Sequence, residues 1–188
     1  NNRNTTYFNA EGIIENDQAQ IKEGATSAFV EYARQFGNLQ MQAGLRYENV
    51  GFNYYDSGKH MKEQSKNYNN VFPSISFSFP IKDVQIMLGY TNDISRPSYW
   101  NLRSNITYVN RYMYDKGNPF LMPSLSHNVS LGASYKWINL YVGYSHIMDE
   151  MINQTVAWSE EDPTIALLTL VNSPEYDKLV ASLNLSPT

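Results

Sequence analysis

The sequence predicts an all-β protein of antiparallel up-and-down strands, a segment of a transmembrane β-barrel, and three observations predict it. The first is strict two-residue periodicity. Leu39, Met41, Ala43, Leu45 and Tyr47 alternate with Gln40, Gln42, Gly44, Arg46 and Glu48, and the pattern recurs over residues 71–79, 84–90, 129–137, 140–148 and 179–185. Such alternation gives each strand one apolar and one polar face. The second is that the connections alternate between tight turns (Gln35-Phe36-Gly37-Asn38, Pro80-Ile81-Lys82-Asp83, Ile138-Asn139) and long polar stretches. In an antiparallel meander all the short turns then fall at one end. The third is an aromatic content of 14%, including 15 Tyr, a residue that settles at membrane–water interfaces. Short turns, long loops and an aromatic-flanked apolar outer face are the layout of an up-and-down barrel in a membrane.

Each element follows in order. Residues 1–24 are polar and irregular and read as the tail of an outer loop, followed by a barrel segment of about seven strands over residues 25–188. The first strand is predicted over 25–34, where Ala28, Val30 and Tyr32 alternate with Phe29, Glu31 and Ala33, ending at the Gly37-Asn38 turn. The second rises over 39–55, longer than the ~9–11 residues a tilted strand needs to cross a bilayer, so its end projects beyond the membrane. Residues 56–70 are an exposed loop by composition. The third strand, 71–79, sets Ile75, Phe77 and Phe79 against Ser74, Ser76 and Ser78, and Pro80 closes it. The fourth covers 84–95. The longest connection, residues 96–125, follows, then strands over 126–137 and 140–158, a polar loop at Ser159-Glu160-Glu161-Asp162-Pro163, and one strand over 167–185 kinked at Pro174.

The two-residue period also assigns faces. Leu39, Met41, Leu45, Ile75, Phe77, Val84, Ile86, Leu88, Val129, Leu131, Val142 and Leu183 are expected on one side, and Gln40, Gln42, Ser74, Ser76, Gln85, Ser130, Ser134 and Lys136 on the other.

Composition narrows the function classes. At 188 residues and 42% hydrophobic content the chain can build one domain. Its mean hydropathy of −0.47 is compatible with a barrel, because only alternate residues face lipid. No apolar run reaches the ~18 residues of a transmembrane helix. The net charge of −4 argues against a nucleic-acid partner, which needs a concentrated basic surface. With no cysteine, disulfides and thiolate metal sites are excluded. The start at Asn1-Asn2-Arg3-Asn4 and the end at Ser186-Pro187-Thr188, just after an alternating strand, lead us to expect a fragment of a larger barrel. A sheet cut from its barrel leaves open edges and an apolar outer face, so the isolated fragment is expected to self-associate.

No motif points to catalysis. His60, His127 and His146 have no metal-binding spacing, and the serines form neither a nucleophile elbow nor a triad order. Asp149-Glu150 and Glu160-Glu161-Asp162 lack the fixed ligand spacing of a calcium loop and read as solvated acid. Gly132 and Gly143 lie inside strands, where a missing side chain permits close packing or a bulge. We therefore expect no enzyme, no cofactor and no metal. The connection over 96–125 is the best candidate for contacting a ligand, through Arg96, Tyr99, Trp100, Tyr112 and Tyr114. Tyr and Trp offer wide contact area with a polar tip, and Arg recognises anionic groups in bidentate fashion. A competing and better-supported role for Arg96, Pro97, Tyr99 and Trp100 is to fix the loop as it leaves the strand and anchor the interface belt.

Several stretches of the chain resemble the outer-membrane β-barrels of TonB-dependent receptors of Gram-negative bacteria. They are Phe36-Gly37-Asn38 followed by Gln42-Ala43-Gly44-Leu45-Arg46-Tyr47-Glu48, then Phe72-Pro73-Ser74-Ile75-Ser76, then Ile94-Ser95-Arg96-Pro97-Ser98-Tyr99-Trp100-Asn101-Leu102, and last Gly117-Asn118-Pro119-Phe120-Leu121 with Pro123. Order and spacing agree as well as the words. Ser124 and Leu125 stand where the family pattern carries a charged pair, and the family's plug domain has no counterpart in these residues. The resemblance implies a receptor in the outer membrane, surrounded by outer-membrane lipid, that imports a scarce small solute or glycan and is energised by the TonB complex through regions outside this segment. The alternative is a soluble β-sandwich or small barrel that binds a carbohydrate or lipid-like ligand. In that case the apolar faces point inward.

Overall fold

The computed structural model describes residues 19–159 and 163–187. Residues 1–18 of the expected outer-loop tail, and Glu160-Glu161-Asp162, lie outside the described residues. The strands are β1 (Ala19–Phe36), β2 (Leu39–Asp56), β3 (Lys59–Ile81), β4 (Val84–Ser95), β5 (Ile106–Asn110), β6 (Met113–Lys116), β7 (Ser124–Tyr135), β8 (Ile138–Met148), β9 (Met151–Ala157), β10 (Ala166–Asn172) and β11 (Tyr176–Leu185). Seven form an antiparallel sheet in the order β1-β2-β3-β4-β7-β8-β11, and four form a second sheet, β5-β6-β10-β9. The seven-stranded sheet is an up-and-down meander. Its turns at Gly37-Asn38, Lys82-Asp83 and Lys136-Trp137 share one end, and the second sheet, with the turn at Ser57-Gly58, belongs to the other.

Several boundaries differ from the sequence reading, each for a physical reason. The first strand starts at Ala19 because β2 is long enough to pair with it as far as Asp56. Residues 56–70 are not a loop. Ser57 and Gly58 both take positive φ, 48° and 79°, as a two-residue type I′ hairpin turn requires, and β3 pairs back on β2 from Lys59 with one irregularity between Phe52 and Tyr54. Pro80 does not end β3. It pairs with Gln85 of β4 and lies beyond Ser78, the last β3 residue paired with β2, so no ladder bond to β2 needs its absent N–H. The expected turn at Ile138-Asn139 falls two residues earlier, with Lys136 at φ 49°, which takes Lys136 off the strand face to which it was assigned.

The expected single strand over 140–158 is broken at Asp149-Glu150, where Asp149 turns to φ 54°. The one over 167–185 is broken at Ser173-Pro174-Glu175. No hairpin forms there: β10 pairs with β9 and β11 with β8, so one long hairpin passes from the first sheet into the second. The long connection after β4 is not structureless, since β5 and β6 form a hairpin within it, and β6 joins β10 in parallel.

The registers place every strand residue of the expected apolar set on one side. Met41, Phe77, Leu88, Leu131, Val142 and Ala181 form one row across the sheet. Gln42, Ser76, Gly89, Ser130, Gly143 and Val180 form the adjacent row on the opposite face. The apolar side is not a core. Val30, Leu45, Leu179 and Leu183 are 64%, 47%, 73% and 61% exposed, so the apolar face looks outward, as in a membrane barrel and not as in a soluble barrel with an apolar interior. The inward face also holds a few large side chains, among them Met87 and Tyr141, and glycine makes room for Tyr141. A Cβ on Gly143 would lie 2.8 Å from the Tyr141 hydroxyl, which shows the packing role of that in-strand glycine.

The buried core sits at the long-connection end, on the inward side. Val50, Tyr54 and Phe72 from β2 and β3 pack there with Leu102 and Leu121 from the connection between β4 and β7, each 5% exposed or less. Each fully buried large apolar side chain contributes about 1.5–3 kcal/mol, so this cluster favours the connection folded over the inner wall.

Candidate functional site

The barrel mouth is built by residues 96–123, and the chemistry of that connection is mostly anchoring. Arg96 directly follows β4, and its Nη2 donates to Glu48 Oε1 at 2.6 Å. Glu48 is an inward residue of β2 with 11% of its side chain exposed, and Arg46 stands 3.8 Å from its other oxygen. A short turn follows, in which the Asn101 N–H donates to the Ser98 carbonyl at 2.9 Å. Arg103 then closes a second set of contacts. It donates to Asp115 Oδ2 at 2.6 Å and to the Trp100 carbonyl at 2.7 Å, and its guanidinium lies 4.0 Å over the Trp100 ring.

The Gly117-Asn118-Pro119 word has a clear local purpose. Gly117 is wedged against the first turn, because a Cβ there would meet the Arg103 carbonyl at 2.5 Å and the Asn101 carbonyl at 2.8 Å. Asn118 binds in three directions: its N–H to the Asn101 carbonyl, its Nδ2 to the Leu170 carbonyl of β10, and its Oδ1 to the Phe120 N–H. Lys66 of β3 reaches up to the same segment and donates to the Phe120 and Leu121 carbonyls at 3.0 and 3.4 Å. Burial pushes the Lys66 ammonium pKa below its usual value, with Asp149 pulling the other way. Asn172, where β10 ends, donates to the Met122 and Asp149 carbonyls and accepts from the Met122 N–H.

The five candidate ligand residues do not converge on one pocket. Arg96 lines a cavity with Val50, Phe52, Tyr68, Leu102 and Leu121, but its volume is about 30 Å3, room for about one water, so it is a packing gap. Tyr99 donates to Glu23 Oε2 of β1 at 2.8 Å, which raises the pKa of its hydroxyl. Trp100 lies under Arg103. Tyr114 sits in the second sheet between Tyr108, at 6.0 Å, and Trp158, at 4.8 Å, while Tyr112 lies beside Arg111, whose guanidinium is 4.5 Å from its ring. Tyr99, Trp100 and Tyr112 are each about half exposed, at 48%, 47% and 55%. Arg96 thus contacts Glu48 of β2, and Trp100 contacts Arg103 within the connection.

Sequence reasoning missed Glu48, Lys66, Arg103 and Asn172, which hold the connection in place. Glu48, Lys66 and Asn172 act through partners about 50 positions away in the chain, which the two-residue period does not report.

A larger opening lies on the inward face, a cleft of about 390 Å3 lined by Glu31, Gln42, Arg46, Phe72, Ser74 and Asp93, among others. Its lining mixes charged and hydrogen-bonding side chains with apolar ones, Phe29, Leu45 and Phe72 among them. The histidines are dispersed among hydrogen bonds: His60 to Ser65, His127 to the Tyr90 hydroxyl at 2.9 Å, and His146 to Asp177 at 2.9 Å. Among the described residues no group of three or more His, Asp or Glu side chains is placed to hold a metal ion.

Comparison with solved structures identifies the architecture. The hemophore receptor HasR of Serratia marcescens, solved as a double mutant with its hemophore HasA and heme, superposes with a TM-score of 0.63 at 12% identity, covering 86% of this chain and 31% of that one. The siderophore receptor PirA from Pseudomonas aeruginosa gives 0.52 at 11% identity, covering 90% of this chain and 40% of that one. At such identities the likeness is one of fold, and this chain spans less than half the length of either receptor. The resemblance to TonB-dependent receptor barrels read from the motifs therefore holds for the barrel wall. No curated protein sequence matches the chain. The family model of the outer membrane protein beta-barrel family matches residues 1–188, the whole chain, and the protein belongs to that family and to the outer membrane of a Gram-negative bacterium.

Proposed function

We propose that the chain is part of the barrel wall of a TonB-dependent receptor, which binds a scarce solute on the long-connection side and imports it with energy from the TonB complex, delivered through regions outside this segment. The observation that carries the reading is the division of the sheet into an exposed apolar outer face and a hydrogen-bonding inner face, closed over at one end by an inward-folded connection. HasR and PirA, whose barrels share this fold, are receptors for a heme-carrying protein and a siderophore. Small iron-bearing solutes and glycans are accordingly the first classes to test.

In this reading Tyr99, Trp100, Tyr112 and Tyr114 offer aromatic contact to the solute, while Arg96 holds the loop base. The role is transport, not catalysis. The test uses the intact receptor in a Gram-negative host and a panel of labelled heme, ferric siderophores and oligosaccharides. One of these should be taken up, only in cells with a working TonB transducer. Tyr112→Ala with Tyr114→Ala should lower that uptake at unchanged surface abundance, whereas Trp100→Ala should lower surface abundance. Uptake that persists without the transducer would overturn the energised-transport reading. Wild-type uptake and abundance in all these variants would overturn the assignment of the connection.

A further inference from the structure

The gap beside Arg96 is too small for a solute, yet two polar atoms of its lining side chains have no protein partner. Arg96 Nε and Gln64 Oε1 are buried and make no hydrogen bond among the described residues, and both side chains line the same cavity of about 30 Å3. One is a donor and the other an acceptor. Leaving either unpaired away from water costs folding free energy, and the two come from different elements, Gln64 from β3 and Arg96 from the residue that follows β4.

The neighbouring groups are spent or unsuited. Three of the lining residues, Pro97, Pro119 and Pro123, have no backbone N–H to offer the Gln64 oxygen. The Lys66 ammonium has three donors, and it directs them to the Phe120 carbonyl, the Leu121 carbonyl and the Met122 sulfur. Glu23 Oε2 already accepts from the Tyr99 hydroxyl. Arg96 Nη2 is held by Glu48 Oε1, so Nε cannot turn to another acceptor without breaking that pair. Much of the remaining wall is apolar, with Val50, Phe52, Leu102 and Leu121.

We propose that this cavity holds a structural water, which accepts from Arg96 Nε and donates to Gln64 Oε1, and that Gln64 acts through it as a positioning residue for the loop base. The space is sufficient, since a water needs at least about 10–15 Å3 of such volume and two to four polar partners. Tyr68 lines the same cavity and offers its hydroxyl to the second proton. Burial raises the pKa of that hydroxyl against the pull of Arg96, which keeps it neutral. The chemistry selects water over an ion. An anion would meet the Gln64 oxygen, and a cation would meet the charges of Arg96 and Lys66, whereas water is donor and acceptor at once. Arg96 is then tied along two edges of its guanidinium, directly to Glu48 of β2 and through water to Gln64 of β3. The connection leaving β4 is thereby fixed to both strands of the long hairpin.

The test is a crystal structure of the intact receptor, at a resolution that shows ordered water, from native crystals and from crystals soaked in sodium bromide. A solvent peak should lie about 2.7–3.2 Å from both Arg96 Nε and Gln64 Oε1, with no anomalous bromide signal in the cavity. Absence of a peak within reach of both atoms, or a bromide signal there, would overturn the proposal. Hydrogen–deuterium exchange of residues 97–104 gives a second reading. Gln64→Leu keeps the bulk but removes the acceptor, and should raise exchange about tenfold. Gln64→Glu keeps an acceptor and should stay near the wild type. Wild-type exchange in Gln64→Leu, or equal increases in the two variants, would overturn the positioning role, and the crystal structure decides alone should Gln64→Leu fail to assemble.

Discussion

Replacing Arg96 with glutamine should release the connection at the barrel mouth while leaving the strands intact. Its Nη2 lies 2.6 Å from Glu48 Oε1, with 30% of the Arg96 side chain and 11% of the Glu48 side chain exposed. Removing one partner of a fully buried ion pair costs about 3–5 kcal/mol, because the other charge is stranded. Two features reduce that figure here: Arg46 remains 3.8 Å from Glu48, and the partial exposure of Arg96 admits water. A local destabilisation of about 2 kcal/mol follows, which raises the population of the open connection about 30-fold. Hydrogen–deuterium exchange of residues 97–104 and 117–123 reads this directly, with β7 and β8 as an internal control. Glu48→Gln should show a similar effect, and the double variant should lose less than the sum of the two, since neither charge is then stranded. Unchanged exchange in Arg96→Gln, or strict additivity in the double variant, would refute the idea that this pair holds the loop base.

Gly117→Ala should disturb the same segment more severely than its size suggests, by about 1–3 kcal/mol, because the added Cβ meets backbone oxygens of Arg103 and Asn101 that cannot swing aside. Exchange should rise at Asn118 and also in β10, through the lost Asn118–Leu170 contact; normal protection there would contradict it. The Tyr99–Glu23 contact should depend on pH. The hydrogen bond to Glu23 raises the Tyr99 pKa, so its contribution is fully present below about pH 10, the unfolded value, and is lost as pH rises through the raised folded value. Protection of residues 98–102 should therefore exceed that of a Tyr99→Phe variant at neutral pH and converge with it in strong alkali. A constant difference across the titration would show that the hydroxyl is not the source.

The faces of the membrane-spanning strands were legible in the sequence because lipid on one side and a polar interior on the other impose a two-residue hydrophobic period. That contrast fades beyond the bilayer. Residues 59–70 carry Lys, Asn, Gln and Ser on both sides and read as a loop, although the Asp56-Ser57-Gly58-Lys59 turn was a readable sign that β2 and β3 form one long hairpin. The second sheet was hidden for another reason. β5 and β6 are only five and four residues long, too short for a period to register, and Leu167-Leu168-Thr169-Leu170-Val171 is apolar at four of its five positions and does not alternate. The anchors Glu48, Lys66 and Asn172 depend on contacts some 48 to 56 positions apart in the chain, which no local pattern encodes. By contrast, the Arg96-Pro97-Ser98 and Gly117-Asn118-Pro119 words were visible at once, and both make contacts where the connection folds back on itself and on β2.

The most direct test of a membrane-facing apolar surface is a nitroxide scan through β7. The chain has no cysteine, so single cysteines at residues 128–135 can be labelled without background in the bilayer-reconstituted protein. Labels at Val129, Leu131, Ala133 and Tyr135 should be relaxed by lipid-soluble oxygen, and those at Asn128, Ser130, Gly132 and Ser134 by a water-soluble nickel chelate, the two profiles alternating out of phase with a period of two residues. Opposite phases, or accessibilities without a two-residue period, would contradict the account of this chain as part of a barrel wall in the outer membrane.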